Sequence, residues 1–286
     1  MGGRKVNLEI IEDHFSGQLP IGSELSILIG MDSLSYMVTD ASQQLLALRD
    51  YQLLLETGDT LVQQVEALLQ QDAYLRSNYV ATRVALPSRA FTLVPDRLYN
   101  PLEKTAYLQA LAIAPTATET FRTDDLPACF AKNIYIADSP LLDVLGKYLP
   151  RARYYHDVTA WLIGLMRSME TPSGYRVYLQ VYPGTLQLAL FEGTKLLFVN
   201  AFSYQSAKDF LYYSLLLFDQ FNLEPTETPV FICGRLIENS EVYPTLFRYL
   251  QHLHFLPPPP YLQLGAKWTK QPAYFFHNLF GLVCCP

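Results

Sequence analysis

The side chains able to do chemistry are few and scattered. Five histidines occur, at His14, His156, His252, His254 and His277. His252 and His254 share a face only in an extended chain. The sequence around them reads instead as the end of a helix begun at Ser240, where residues two apart diverge, and two ligands do not close a zinc site. A capping or surface role is expected for both. His156-Asp157 precedes an apolar helical stripe, which makes Asp157 a helix cap. Asp124-Asp125 offers two carboxylates to a cation, but it reads as a solvated loop. Cys129, Cys233, Cys284 and Cys285 follow neither a CxxC spacing nor a disulfide framework, which fits a reducing compartment. GxSxG, Walker A, GxGxxG and HExxH motifs are absent. Neither a metal-ligand set nor an activated nucleophile is assigned from these residues.

The composition narrows the classes further. The 286 residues are 50% hydrophobic and 17% charged, which supports a large core and argues against disorder. At ~150 residues per domain the length suggests about two domains. Lys+Arg is 21 against 27 Asp+Glu, a formal charge of −6. That balance opposes a nucleic-acid coat or an anionic-membrane binder. The 20 Tyr and 16 Phe are not interleaved with a basic patch, and Phe210, Phe218 and Phe221 fall on core stripes, so base stacking is not expected. Residues 1–20 hold no apolar stretch of a signal peptide. The greasiest run, Phe210 to Phe218, is too short to cross a bilayer and is bracketed by Asp209 and Asp219. Gly2 lacks the Ser or Thr four residues later that myristoylation needs, because Val6 stands there. The expectation is a cytoplasmic protein without membrane insertion.

Hydropathy alternation and turn residues organise the chain. Leu25–Met31, Leu34–Thr39 and Gln44–Leu53 form a three-stranded meander, the first strand buried mostly on one face. A helix capped by Asp59 carries Leu61, Val62, Val65, Leu68 and Leu69 on one stripe. Strands follow at Tyr79–Leu86 and Phe91–Val94. A helix opens at Asn100-Pro-Leu-Glu103, then come strands at Phe121–Thr123 and Asn133–Ala137, and a helix from Ser139-Pro140 to Leu149. The plan then repeats. A strand at Ala152–Tyr155 leads into a helix with Val158, Trp161, Leu162 and Leu165. Tyr175–Tyr182, Thr185–Phe191 and Lys195–Phe202 form a second meander. Ser206-Ala-Lys-Asp209 is a capping box for a helix through Phe221. Pro229–Cys233 is a strand, and a helix runs from Ser240 to Leu253. The repeat lies in element order, displaced by ~150 residues, which predicts a two-lobed α/β molecule. The expected divisions are 15–150, 151–256 and a tail at 257–286. Pro257–Pro260 must be extended, and the apolar segment beyond it (Tyr274 to Val283) reads as a strut laid back on the core or as a docking peptide.

Twin meander–helix–strand lobes resemble the actin-like, sugar-kinase and Hsp70-type ATPases. Leu25-Ser-Ile-Leu-Ile-Gly-Met-Asp-Ser-Leu-Ser, Asn200-Ala-Phe-Ser-Tyr, Asp209-Phe-Leu-Tyr-Tyr and Val230-Phe-Ile-Cys-Gly together resemble DUF3822, a family of unknown function found mostly in Bacteroidetes. The resemblance implies duplicated ribonuclease H-like subdomains with mixed five-stranded sheets. It also implies a nucleotide cleft between the lobes, with two hairpin turns at the phosphates, acids that hold Mg²⁺ through water, and a Gly-Gly pair beside adenine. Carried onto this chain, that pattern is degenerate. Gly30 stands at the first acid's place and Asp32 at its glycine, followed by Ser33. Tyr182 stands at the second acid's place, followed by Gly184 and Thr185. Gly234 keeps one glycine of the pair, and Arg235 replaces the other. Mg²⁺ relies on one or two carboxylates plus phosphates, so loss of both acids removes most of the protein's hold on it. The expected function is a non-catalytic interaction or scaffold protein with no cofactor and a protein partner. The alternative is an ATP-binding enzyme, ATPase or kinase-like, that uses the cleft with ATP and Mg²⁺.

Overall fold

The computed structural model describes residues 4–13, 15, 18–54, 59–88, 90–111, 113–170, 173–236, 242–265, 267–268 and 272–286. It contains two compact units. The first is Met1–Arg167 with Pro260–Gln271 and Asn278–Pro286; the second is Ser168–Pro259 with Pro272–His277.

In the first unit the meander is β2 (Glu24–Ile29), β3 (Ser33–Thr39) and β4 (Leu45–Leu53), joined antiparallel. An edge strand that the sequence analysis does not predict, β1 (Arg4–Ile11), lies antiparallel to β4. On the far side β5 (Ala81–Leu86) and β9 (Arg153–His156) add in parallel, giving the order β1-β4-β3-β2-β5-β9. Leu25, Ile27 and Ile29 face a core shared with α1 (Leu61–Gln71) and α3 (Ser139–Tyr148). The alternation in β2 does not mark a wet face: Ser26 is buried as well, because the turn Leu282–Cys284 covers β2 and β5 from the other side. Thr60, not Asp59, caps α1, and it does so in a capping box with Gln63. Asn100 heads a turn through its bond to the Leu102 N–H, and α2 (Lys104–Gln109) begins only afterwards.

Between β5 and β9 sits a three-stranded antiparallel sheet, β6 (Phe91–Pro95), β8 (Ala131–Asp138) and β7 (Glu119–Leu126). Asp124 and Asp125 are therefore strand residues rather than loop. Successive strand side chains point to opposite faces. Asp124 is buried, while Asp125 is exposed and bonded to Lys132, so the two cannot share a cation.

The second unit repeats the plan. β10 (Tyr175–Tyr182), β11 (Thr185–Glu192) and β12 (Lys195–Ser203) form the meander. β13 (Val230–Gly234) and β14 (Leu253–Phe255) add in parallel, giving β12-β11-β10-β13-β14. This order and these directions match β4-β3-β2-β5-β9, so the duplication is real at the level of topology. The first sheet differs from the expected five strands by the extra β1. β9 and α4 (Asp157–Ser168), which open the second half in sequence order, build the first unit instead, because β9 finds its hydrogen-bond partner in β5. In the second unit α5 (Ala207–Gln220) carries the expected Ser206–Asp209 capping box and packs with α6 (Val242–Phe247) over Val177, Leu179, Leu188 and Ile232. α6 stops at Phe247, and Leu253, read as the end of the helix, instead opens β14. Ser240 and His14 lie outside the described residues.

The tail is core, which removes it as a docking peptide. Leu279, Phe280 and Leu282 in and after α7 (His277–Gly281) are fully buried in the first unit, where Trp268 meets Phe280 edge-on. Tyr274 stacks on Phe255 in the second unit, and the His277 Nε2–H donates to the Pro257 carbonyl at 2.8 Å.

Candidate functional site

The two hairpin turns can be superposed by register. In the first unit the Gly30 N–H donates to Ser33 O at 2.8 Å, leaving Met31 and Asp32 as a two-residue loop. In the second unit Tyr182 pairs with Thr185 around Pro183-Gly184. Gly30 thus corresponds to Tyr182, Asp32 to Gly184 and Ser33 to Thr185. The first turn is anchored to β4, where the Asp32 carbonyl accepts the Leu53 N–H at 2.8 Å and Gln52 Nε2 at 2.9 Å. A Cβ added at Gly30 would lie 2.5 Å from Ser33 Oγ, so the hydroxyl fills the space a side chain there would take.

The second turn is knit to the strand that follows it. The Tyr204 N–H donates to Gly184 O at 3.1 Å, and its hydroxyl donates to Tyr182 O at 2.9 Å. Gly184 has φ +73°, a conformation that costs glycine nothing. Beside it, Gly234 at the end of β13 lies against Val181 in β10, and the Arg235 N–H donates to Val181 O at 2.7 Å. The fold therefore gathers Tyr182, Gly184, Thr185, Gly234 and Arg235 at one end of the second sheet. Gly30, Asp32 and Ser33 stand at the corresponding end of the first.

One neighbour was missed by sequence reasoning. Gln180 is completely buried; its Oε1 accepts the Cys233 thiol at 2.7 Å, while its Nε2 has no hydrogen-bond partner among the described residues. A glutamine in the middle of the otherwise apolar Leu179-Gln-Val181 was the available signal.

Elsewhere the polar groups knit the fold. Burial pushes the Asp124 carboxyl up to about 6, against the hydrogen bond from the His156 N–H, at 2.7 Å, that pulls it down. Asn133 donates to His156 Nδ1 at 3.1 Å and to Thr159 at 2.9 Å, and burial holds the imidazole below its usual range. Asp72 accepts from Tyr36, Tyr51 and Arg49. Burial raises its pKa, but those bonds outweigh it and the net direction is down. His254 lies in β14 and His252 just before it, both exposed rather than at a helix end. Burial lowers His277 to about 4. A cavity of about 820 Å³ in the first unit is lined by Leu126, Ile163, Met166, Val283 and the ion-paired Asp125 and Lys132, among others, and by none of the hairpin-turn residues.

The family profile described as "Protein of unknown function (DUF3822)" matches residues 14–253. A Bacteroides thetaiotaomicron protein with actin-like ATPase fold and unknown function superposes with TM-score 0.78 at 17% identity, over 96% of this chain and 100% of that one. A chain of the PilM–PilN type IV pilus biogenesis complex gives 0.59 at 18%, over 91% and 97%. The ethanolamine utilization protein EutJ from Carboxydothermus hydrogenoformans gives 0.51 at 10%, over 94% and 91%. No curated protein sequence matches the chain. At such identities the structural neighbours speak for the fold alone, and that fold is the actin-like ATPase fold, with mixed sheets in both units. The match across most of its length makes this chain a member of the DUF3822 family.

Proposed function

We propose that the chain is a non-catalytic member of the actin-like fold that acts by binding a protein partner. The observation that carries this reading is the chemistry of the second turn. A phosphate cradle is built from successive backbone amides. Pro183 has no amide hydrogen, and Tyr182 presents a phenol where the actin-like ATPase pattern would place a carboxylate. Mg²⁺ fits no better at the first turn, where Gly30 offers no side-chain carboxylate and the adjacent space holds Ser33 Oγ. Asp32 is the carboxylate of that loop, and alone it would repel a phosphate. Arg235 in place of a second glycine puts a long side chain beside β13. These residues do not suit Mg-ATP. A neighbour of the same fold in the PilM–PilN complex supports the partner-binding half of the reading.

A thermal-shift titration with Mg-ATP tests it. A real site saturated at 100 times its Kd would add ~2.7 kcal/mol and raise the melting point visibly. No shift is expected. A shift in the wild type that is lost in Gly184→Glu, each measured against its own unliganded melting point, overturns the proposal.

A further inference from the structure

The duplicated sheets differ at one edge. In the first unit the third meander strand, β4, is covered by β1, and Arg4 of β1 donates to Gln71 of α1 at 2.7 Å. The corresponding strand in the second unit, β12, is paired only with β11 among the described residues. An open edge offers unpaired backbone groups, which proteins usually blunt with charges, prolines or shortness. β12 is nine residues long, has no proline and carries a single charge, on Lys195 at its first position; its one bulge, at Leu197, lies near that same end and leaves Phe198–Ser203 in regular register. Its Ala201 N–H donates to the Asn200 side chain at 2.8 Å, a bond that pairing with another strand would exchange for a partner carbonyl. Beside this edge α5 exposes Tyr212 and Leu216, and Tyr213 stacks on Phe202 of β12 at 4.6 Å.

We propose that β12 is a self-association edge: two copies pair their β12 strands antiparallel about a twofold axis at Asn200, making one continuous sheet. The sequence of the strand chooses a second copy over a foreign peptide. A twofold at Asn200 sets Phe198 of each copy opposite Phe202 of the other, Val199 opposite Ala201 and Asn200 opposite itself. Aromatic and β-branched cross-strand pairs are the stabilising units of a sheet. The lone charge, Lys195, falls opposite Gln205, so no like charges meet. An isologous contact of this kind closes at two subunits. The inference is independent of the proposed function.

Light scattering on the eluting full-length chain tests it. The wild type is expected at twice the 32.6 kDa of one chain. Asn200→Lys and Asn200→Glu each place like charges opposite one another at the axis and are expected at the single-chain mass, with unchanged circular dichroism because Asn200 is exposed. An equal mixture of the two is expected to return to the double mass. A wild type that stays at the single-chain mass at its highest soluble concentration overturns the proposal. So does a double mass that both variants retain, or a mixture that fails to recombine.

Discussion

Gly234 and Gly184 stand at the same end of the second unit's sheet with similar backbone angles, φ +85° and +73°, but in different surroundings. A Cβ at Gly184 would meet nothing closer than Tyr204 O at 4.0 Å. A Cβ at Gly234 would fall inside contact distance of Val181 O and 2.8 Å from Val181 N, both backbone atoms of β10. Each alanine pays about 1–2 kcal/mol for the left-handed conformation. Gly234→Ala adds overpacking of about 1–3 kcal/mol, since the Arg235 N–H bond to Val181 O must stretch or the strands must part. The expected losses are thus about 1–2 kcal/mol for Gly184→Ala and about 2–5 kcal/mol for Gly234→Ala. Urea unfolding followed by circular dichroism measures both. If the two variants agree within about 0.5 kcal/mol, the close approach of β13 to β10 carries no energetic weight and the reasoning is wrong. The comparison also bears on function. A glycine that strand packing requires at 234 is no sign that a nucleotide base comes near it.

Two further outcomes follow from buried groups in the first unit. The folded-state pKa of Asp124, about 6, is above its ordinary value, so the native state takes up this proton first as pH falls. The buried carboxylate therefore costs stability above pH ~6, and the cost is relieved on acidification, by about 1.4 kcal/mol between pH ~7.5 and ~5. Asp124→Asn should flatten that part of the pH profile of urea stability, and an unchanged profile would count against the burial argument. Asp72, with its pKa depressed, works in the opposite sense. Its contribution is present above the ordinary carboxylate range and is lost only as pH falls through the lowered folded value, outside this window. Phe280→Ala removes a fully buried ring against Trp268 and should cost about 3–5 kcal/mol, read by fluorescence of Trp161 and Trp268. A loss under about 1 kcal/mol would mean that the tail merely drapes over the first unit.

Both meanders were legible in the chain itself. Period-two alternation and the turn at Pro183-Gly184 are local signals, as are the Ser206–Asp209 capping box and the Ser139-Pro140 helix start; the first turn reads as Asp32-Ser33, one residue later than the Met31-Asp32 loop that the structure shows. That Gly30 and Tyr182, neither of them an acid, stand at the two turns is likewise read from the sequence alone. Pairing is not local. Nothing in Arg153–His156 says that β5 rather than β10 is its partner, and the three-residue β14 is too short for periodicity to separate it from a helix end. β1 does carry a local signal, overlooked in the sequence analysis, since Val6, Leu8 and Ile10 alternate with Lys5, Asn7 and Glu9; only the structure shows that the open side of β4 receives it. The apolar tail could not declare whether it was core or ligand until a surface lacking cover, the back of β2 and β5, came to meet it. Local propensity and sequence pattern write the elements. Hydrogen-bond partners and apolar surfaces far apart in the chain decide which sheet, which edge and which face each one joins.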